Sequence, residues 1–169
     1  METGKNCYML GAKELYIALQ EDNECWKWGH IPESRFAEVC ILKKVCWLQI
    51  RGKIASVMLS QNSTYVAYLV FRTTSNSKGL SVTSKTTVSF NGIGMVTENV
   101  YLQRPKACEI WQENDVFPHR RKDGWMEIKL GEFEYNEGDS GEVEMTFEEV
   151  KDLHWKEGLI VEGIELRPK

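Results

Sequence analysis

The sequence predicts an all-β protein, a jelly-roll-like β-sandwich of about eight or nine short antiparallel strands with little helix. Three observations carry that expectation. Apolar residues recur with period two and almost nowhere with the helical period. Turn-forming Gly, Asn, Asp and Pro punctuate the chain at short intervals. A chain of 169 residues with 42% hydrophobic and 27% charged positions can bury one core without a metal or disulfide staple. No linker-like stretch or internal repeat divides it, so residues 1–169 read as a single domain.

The expected strands run in order. Residues 15–19 and 36–42 are short apolar stretches between polar turns, and residues 46–50 read as a further strand. Residues 64–72 are apolar on both faces, which suits a strand in mid-sheet covered on both sides. Residues 80–90 follow. In 125–133, Met126, Ile128 and Leu130 alternate with Glu127 and Lys129; in 141–147, Val143, Met145 and Phe147 alternate with Glu142, Glu144 and Thr146. The cluster Asn136-Glu137-Gly138-Asp139-Ser140-Gly141 predicts a turn that joins these two strands as a hairpin. A last strand, 159–166, ends at Pro168, and the best helical signal is a turn or two over 147–153. Trp47 and Trp125 fall within this strand framework.

Composition removes several function classes. A net charge of −4 lacks the cationic balance of a dedicated nucleic-acid binder. The densest basic cluster, Arg120-Arg121-Lys122 before Asp123-Gly124, reads as a solvated turn. No apolar run approaches the ~18 to 20 residues of a membrane span, and residues 1–19 lack the apolar centre of a signal peptide. The cysteines at 7, 25, 40, 46 and 108 form an odd set with no C-x-x-C pair, as reduced thiols of a cytoplasmic protein do. Their spacing with the three histidines offers no metal site, and no cofactor is expected. Gly138-Asp139-Ser140-Gly141 looks like the nucleophile loop of trypsin-like proteases, but Glu142 stands where a glycine is expected and the chain is too short for paired barrels, so no catalytic residue is assigned.

Two features point to ligand binding. Residues 132–165 hold twelve acidic against two basic residues, a local charge of −10. These carboxylates read as a wetted strand face, as acceptors for sugar hydroxyls and amides, or as the acid and base of a glycosidase. Trp26 and Trp28 point the same way in a strand-like segment and form one aromatic patch, either a lid on the core or a platform for the apolar face of a pyranose.

At this point a pattern emerges. Trp26-Lys27-Trp28, then Val45-Cys46-Trp47-Leu48-Gln49-Ile50-Arg51-Gly52-Lys53-Ile54, Asp123-Gly124-Trp125-Met126-Glu127-Ile128, Gly141-Glu142-Val143-Glu144-Met145 and Gly158-Leu159-Ile160-Val161-Glu162-Gly163 occur in this order. From about Lys13 to Pro168 the chain resembles the phloem lectin family of plants (phloem protein two type), the family of the tobacco leaf lectin. The resemblance implies a non-enzymatic, dimeric lectin for N-acetylglucosamine oligomers (chitooligosaccharides) and the N-glycan cores of N-glycosylated proteins, in the cytoplasm or phloem sap and without a membrane partner. It also implies a bare lectin domain, without the F-box that precedes it in many relatives.

Residue by residue, the resemblance places the sugar-stacking tryptophan on Trp26 and the family's two glutamates on Glu142 and Glu149, with Tyr135 and Asn136 bordering the same cleft. Leu19 stands where the family has a second stacking tryptophan. The lysine run associated with nuclear entry is replaced by Gln103-Arg104-Pro105-Lys106, so nuclear entry is not implied. Two competitors stand beside the lectin reading: a structural or RNA-associated phloem protein, and a glycoside hydrolase using Glu142 and Glu149. If Trp26 is the platform, Trp26→Ala abolishes sugar binding with the thermal midpoint nearly unchanged; a large loss of stability means that it is core.

Overall fold

The computed structural model describes residues 4–105 and 112–169, so Lys106, Cys108 and Trp111 lie outside the described residues. The strands in chain order are β1 (Tyr8–Gly11), β2 (Tyr16–Ile17), β3 (Trp26–Gly29), β4 (Val39–Leu42), β5 (Leu48–Ala55), β6 (Ser63–Lys78), β7 (Ser84–Phe90), β8 (Ile93–Val100), β9 (His119–Arg120), β10 (Met126–Tyr135), β11 (Glu142–Glu149) and β12 (Glu157–Pro168). They form two antiparallel sheets. The larger runs β3-β4-β12-β6-β10-β9, with β1 sharing the β4 edge of β12, and the smaller runs β2-β5-β11-β7-β8. The fold is the expected β-sandwich, with more strands than the eight or nine the periodicity gives, because β1, β8 and β9 bury too few residues to show it.

The core lies between the sheets. Tyr65, Ala67, Leu69 and Phe71 of β6 face Ile50 of β5 and Val143, Met145 and Phe147 of β11 within one buried cluster. β6 is covered on its other face too: Val70 packs with Val39 and Trp125 in a second cluster. The segment between β3 and β4 roofs this outer cluster, where the Trp125 indole N–H donates to Glu33 O at 3.3 Å and the Arg72 guanidinium lies 4.5 Å from the indole centroid. Beside it, Arg167 and Arg121 bind Glu127 at 2.7 and 3.1 Å. Burial pushes the Glu127 carboxyl up, but the two guanidiniums outweigh it and hold the group below its usual range.

Two expectations are corrected. The first is the hairpin over 136–141. β10 belongs to the larger sheet and pairs with β6 and β9, while β11 belongs to the smaller and pairs with β5 and β7, so the turn carries the chain from one sheet to the other. Its residues do form a tight turn, with Asn136 N–H bonded to Asp139 Oδ2 at 3.0 Å and Asp139 N–H returning to Asn136 O at 3.1 Å. The second is the helical turn over 147–153. β11 keeps pairing to Glu149, and Leu153 is left exposed, so Phe147 is buried as a strand residue and the apolar spacing that suggested a helix makes no buried helical face.

Bulges set which side chains face the core. β10 skips Leu130 between partners Tyr68 and Ala67, and β12 skips Glu162 between partners Phe71 and Val70. Ile128 and Leu130 are therefore followed inward by Phe133 and Tyr135, an odd step that strict alternation forbids. The Leu130 carbonyl, freed from its ladder, accepts the Thr86 hydroxyl from the opposite sheet at 2.7 Å. At the β12 bulge Glu162 is buried on the outer side, and burial raises its carboxyl pKa. Gly163 is required here, because a Cβ would collide with the Leu10 carbonyl oxygen of β1.

Cys7, Cys25, Cys40 and Cys46 are free thiols. Burial pushes Cys40 up to about 12, which keeps it protonated and unreactive. Among the described residues no group of His, Cys, Asp and Glu is placed to hold a metal ion, and no helix is long and apolar enough to cross a membrane.

Candidate functional site

The six residues assigned to binding do not form one site. Along β11, Val143, Met145 and Phe147 point into the core, so parity sends Glu149 inward and Glu142 outward. Seven residues of extended strand separate them, about 24 Å. Glu142 is exposed beside Lys53, 3.7 Å away, at the end of β11 near the 136–141 turn. Glycosidase carboxylates stand roughly 5 to 9.5 Å apart, so these two cannot act as an acid and base pair.

Glu149 is 2% exposed, and its carboxylate accepts the backbone N–H groups of Lys151 at 3.2 Å and Asp152 at 2.7 Å. Nearby, the buried Lys156 ammonium donates to the carbonyls of Cys46, Asp152 and His154 at 2.8, 2.9 and 3.2 Å. Together the two side chains shape the 149–156 loop from within. Glu149→Ala is expected to cost about 2 kcal/mol by orphaning those N–H groups, measured by urea unfolding.

Trp26 is 1% exposed, inside the main core, and presents no ring face to solvent. That places it as core rather than platform. Its indole N–H donates to Ala18 O at 3.1 Å, so it props the turn that carries Leu19. Trp28 packs against the same core, and Lys13 Nζ sits 3.8 Å from its ring centroid on the open side. Tyr135 is likewise core, edge-on to Phe90 at 5.8 Å, while Asn136 is exposed in the turn beyond it.

What converges is the end of the smaller sheet where β5 begins and β11 finishes. β2 pairs Ile17 with Ile50, and Ala18 N–H donates to Gln49 O at 3.0 Å, which brings Leu19 level with Leu48. Leu19 is half exposed and has φ +66°, an uncommon left-handed conformation for a bulky residue. Trp47 comes one residue before inward-facing Leu48, so it lies on the outward side, 44% exposed. On that outward side Gln49 Nε2 donates to Glu148 Oε2 at 3.0 Å, and Lys85 stands 3.7 Å from Glu148.

A groove of about 650 Å³ opens at this end, walled by 81–85, 98–101 and 148–152. Thr83 Oγ1 donates to the Tyr101 hydroxyl at 2.9 Å in one wall. Leu48 pairs with Glu149, so Trp47 stands at the same end of the sheet on the β5 side of β11, while the groove opens on the β7 side and reaches across β11 through Glu148. The ionisable lining is Lys85, Lys151, Glu98, Glu148, Glu149 and Asp152, a net charge of −2 that disfavours a polyanion. Trp47 and Glu148 are candidates that the sequence reading did not single out, although the parity of 46–50 sets the first outward and that of 141–147, carried one residue further, the second.

Comparison with known proteins fixes the lineage. The chain is 41% identical over 173 residues to F-box protein At2g02240 of Arabidopsis thaliana, covering 98% of this chain and 52% of that protein. It is 40% identical over 170 residues to F-box protein PP2-B10 of the same plant, covering 98% and 61%. The chain thus spans about half to two thirds of the length of the curated relatives it matches. Among solved structures it resembles a Podospora anserina GH26-CBM35 β-(1,4)-mannanase at TM-score 0.52 and 11% identity, covering 96% of this chain and 28% of that one, which is a likeness of fold alone. The family model described as phloem protein 2 matches residues 5–168, and on that match, carried by nearly the whole chain, the protein belongs to the phloem protein 2 family.

Proposed function

We propose that this chain is a non-enzymatic carbohydrate-binding protein for N-acetylglucosamine oligomers and the cores of N-glycans, acting in the cytoplasm or phloem sap. The observation that carries the reading is the half-exposed Trp47 at the same end of the smaller sheet as the 650 Å³ groove, with the outward Gln49–Glu148 pair linking the β5 side to the groove wall. An indole offers an apolar face to the C–H groups of a pyranose, and a carboxylate is a strong acceptor for hydroxyl and acetamido N–H groups. Leu19 adds an apolar surface for an acetamido methyl. In this reading Trp26 and Glu149 act one step back: the first props the turn of Leu19 and the second shapes the loop behind Glu148.

A wide, half-open groove gives few contacts per sugar, so a single unit binds weakly, near the millimolar range or about −4 kcal/mol, and longer chains bind more tightly. Pairing of two copies would add avidity for multivalent glycans. The test is calorimetry with chitotriose against maltotriose, followed by hours of incubation with chitotetraose. Heat with the first sugar, none with the second and unshortened chitotetraose are expected. No heat at millimolar chitotriose overturns the binding reading, and accumulation of shorter sugars overturns the non-enzymatic one.

A further inference from the structure

The outward face of the smaller sheet carries a second exposed aromatic ring that the groove does not include. Tyr16 is 54% exposed, and Ile17 after it points into the core. Tyr16 pairs with Arg51, and antiparallel partners project to the same side of a sheet. Arg51 in turn shares its side with Gln49, a step of two along β5, and Trp47 stands one further step of two back, immediately before the strand's first residue. Trp47 and the Tyr16–Arg51 pair are therefore about 13 Å apart along the backbone, four residues of extended chain.

The space between the rings is polar. Gln49 is bonded to Glu148, and Arg51 Nε lies 3.2 Å from Glu144 Oε1. The Arg51 guanidinium also sits 5.7 Å from the Tyr16 ring centroid, close enough to steady the ring by a cation–π contact. The row thus reads aromatic ring, amide with carboxylate, guanidinium with carboxylate, aromatic ring.

We propose that Tyr16 is a second stacking subsite, so that the face takes an internal stretch of a linear β-linked oligosaccharide rather than a chain end. This rests on the carbohydrate-binding reading of the Trp47 site. In a β-1,4-linked chain each unit is turned over relative to its neighbour, so units one and three present the same face in the same direction. The two-unit repeat of such a chain is shorter than that backbone spacing, so the rings engage units one and three by leaning toward each other over Gln49. The unit between lies over Gln49 and Arg51, whose amide and guanidinium meet its hydroxyls. A coiled α-linked chain cannot keep both contacts.

The test is calorimetry of the intact chain with chitobiose, chitotriose and chitotetraose, using wild type, Tyr16→Ala, Tyr16→Phe and Trp47→Ala. For wild type the affinity rises about tenfold between the dimer and the tetramer. Tyr16→Ala removes that rise and leaves chitobiose binding unchanged, while Tyr16→Phe, which keeps the ring, retains it. If Tyr16→Ala keeps the full rise while Trp47→Ala loses binding, the second subsite is overturned and the lectin reading stands. If wild type shows no heat with any length, both are overturned.

Discussion

Trp26→Ala lowers stability by about 3 to 5 kcal/mol, the cost of deleting a large aromatic from a filled core. The indole is 1% exposed, and its N–H holds the Ala18 carbonyl at 3.1 Å, so the substitution both opens a cavity and orphans that carbonyl. The turn bearing Leu19 loses its prop, and sugar affinity falls as a secondary effect. Urea unfolding with an unchanged slope gives the first quantity. Trp26→Phe separates the two contributions, because it keeps most of the ring volume but not the N–H. A midpoint unchanged in Trp26→Ala would show that the ring leaves the core in solution.

Trp47→Ala has the opposite profile. The ring is 44% exposed just before β5, so its removal costs little stability, within about 0.5 kcal/mol, as at other surface positions. Chitotriose affinity falls about tenfold or more with the stacking face gone, equivalent to at least ~1.4 kcal/mol. Tryptophan fluorescence gives a parallel readout: wild type shifts to the blue on sugar addition as Trp47 is dried, and Trp47→Ala does not. Equal affinity in the variant would move the site away from this end of the sheet.

These two tryptophans show what the residues themselves disclosed. Period-two alternation located β10 and β11, because strands with one face in the core must repeat every second residue, while unbroken apolar runs located β6 and β12, which are covered on both faces. The same rule places Trp47 outward and Glu149 inward. The resemblance to a lectin family pointed to Glu142 and Glu149 together, but spacing along one strand decides that they cannot meet. Trp26 was ambiguous for a physical reason: two tryptophans on one side of a strand make the same pattern whether that side faces solvent or core.

Other features were hidden from local periodicity. The bulges at Leu130 and Glu162 shift the phase within β10 and β12, and each is fixed by its partner β6. Sheet membership on either side of the 136–141 turn is decided by strands tens of residues away, β6 on one side and β5 and β7 on the other. β8 follows the Asn91-Gly92 turn, with φ of +52° and +76°, a strong hairpin signal, yet Ile93 and Val96 are exposed and its alternation is faint.

The placing of β12 has a kinetic consequence. It is the latest of the described strands to be synthesised, yet it lies between β6 on one side and β4 with β1 on the other. Until residues 157–168 have left the ribosome, β6 lacks one neighbour, β1 and β4 lack the strand that joins them to it, and the larger sheet stays open along its middle. At about 5 to 20 residues per second this open state lasts for seconds, exposing strand edges that invite pairing with other chains. The domain is thus most in need of a chaperone just before β12 arrives, and closure of the larger sheet is coupled to the emergence of β12 rather than spread along the earlier strands.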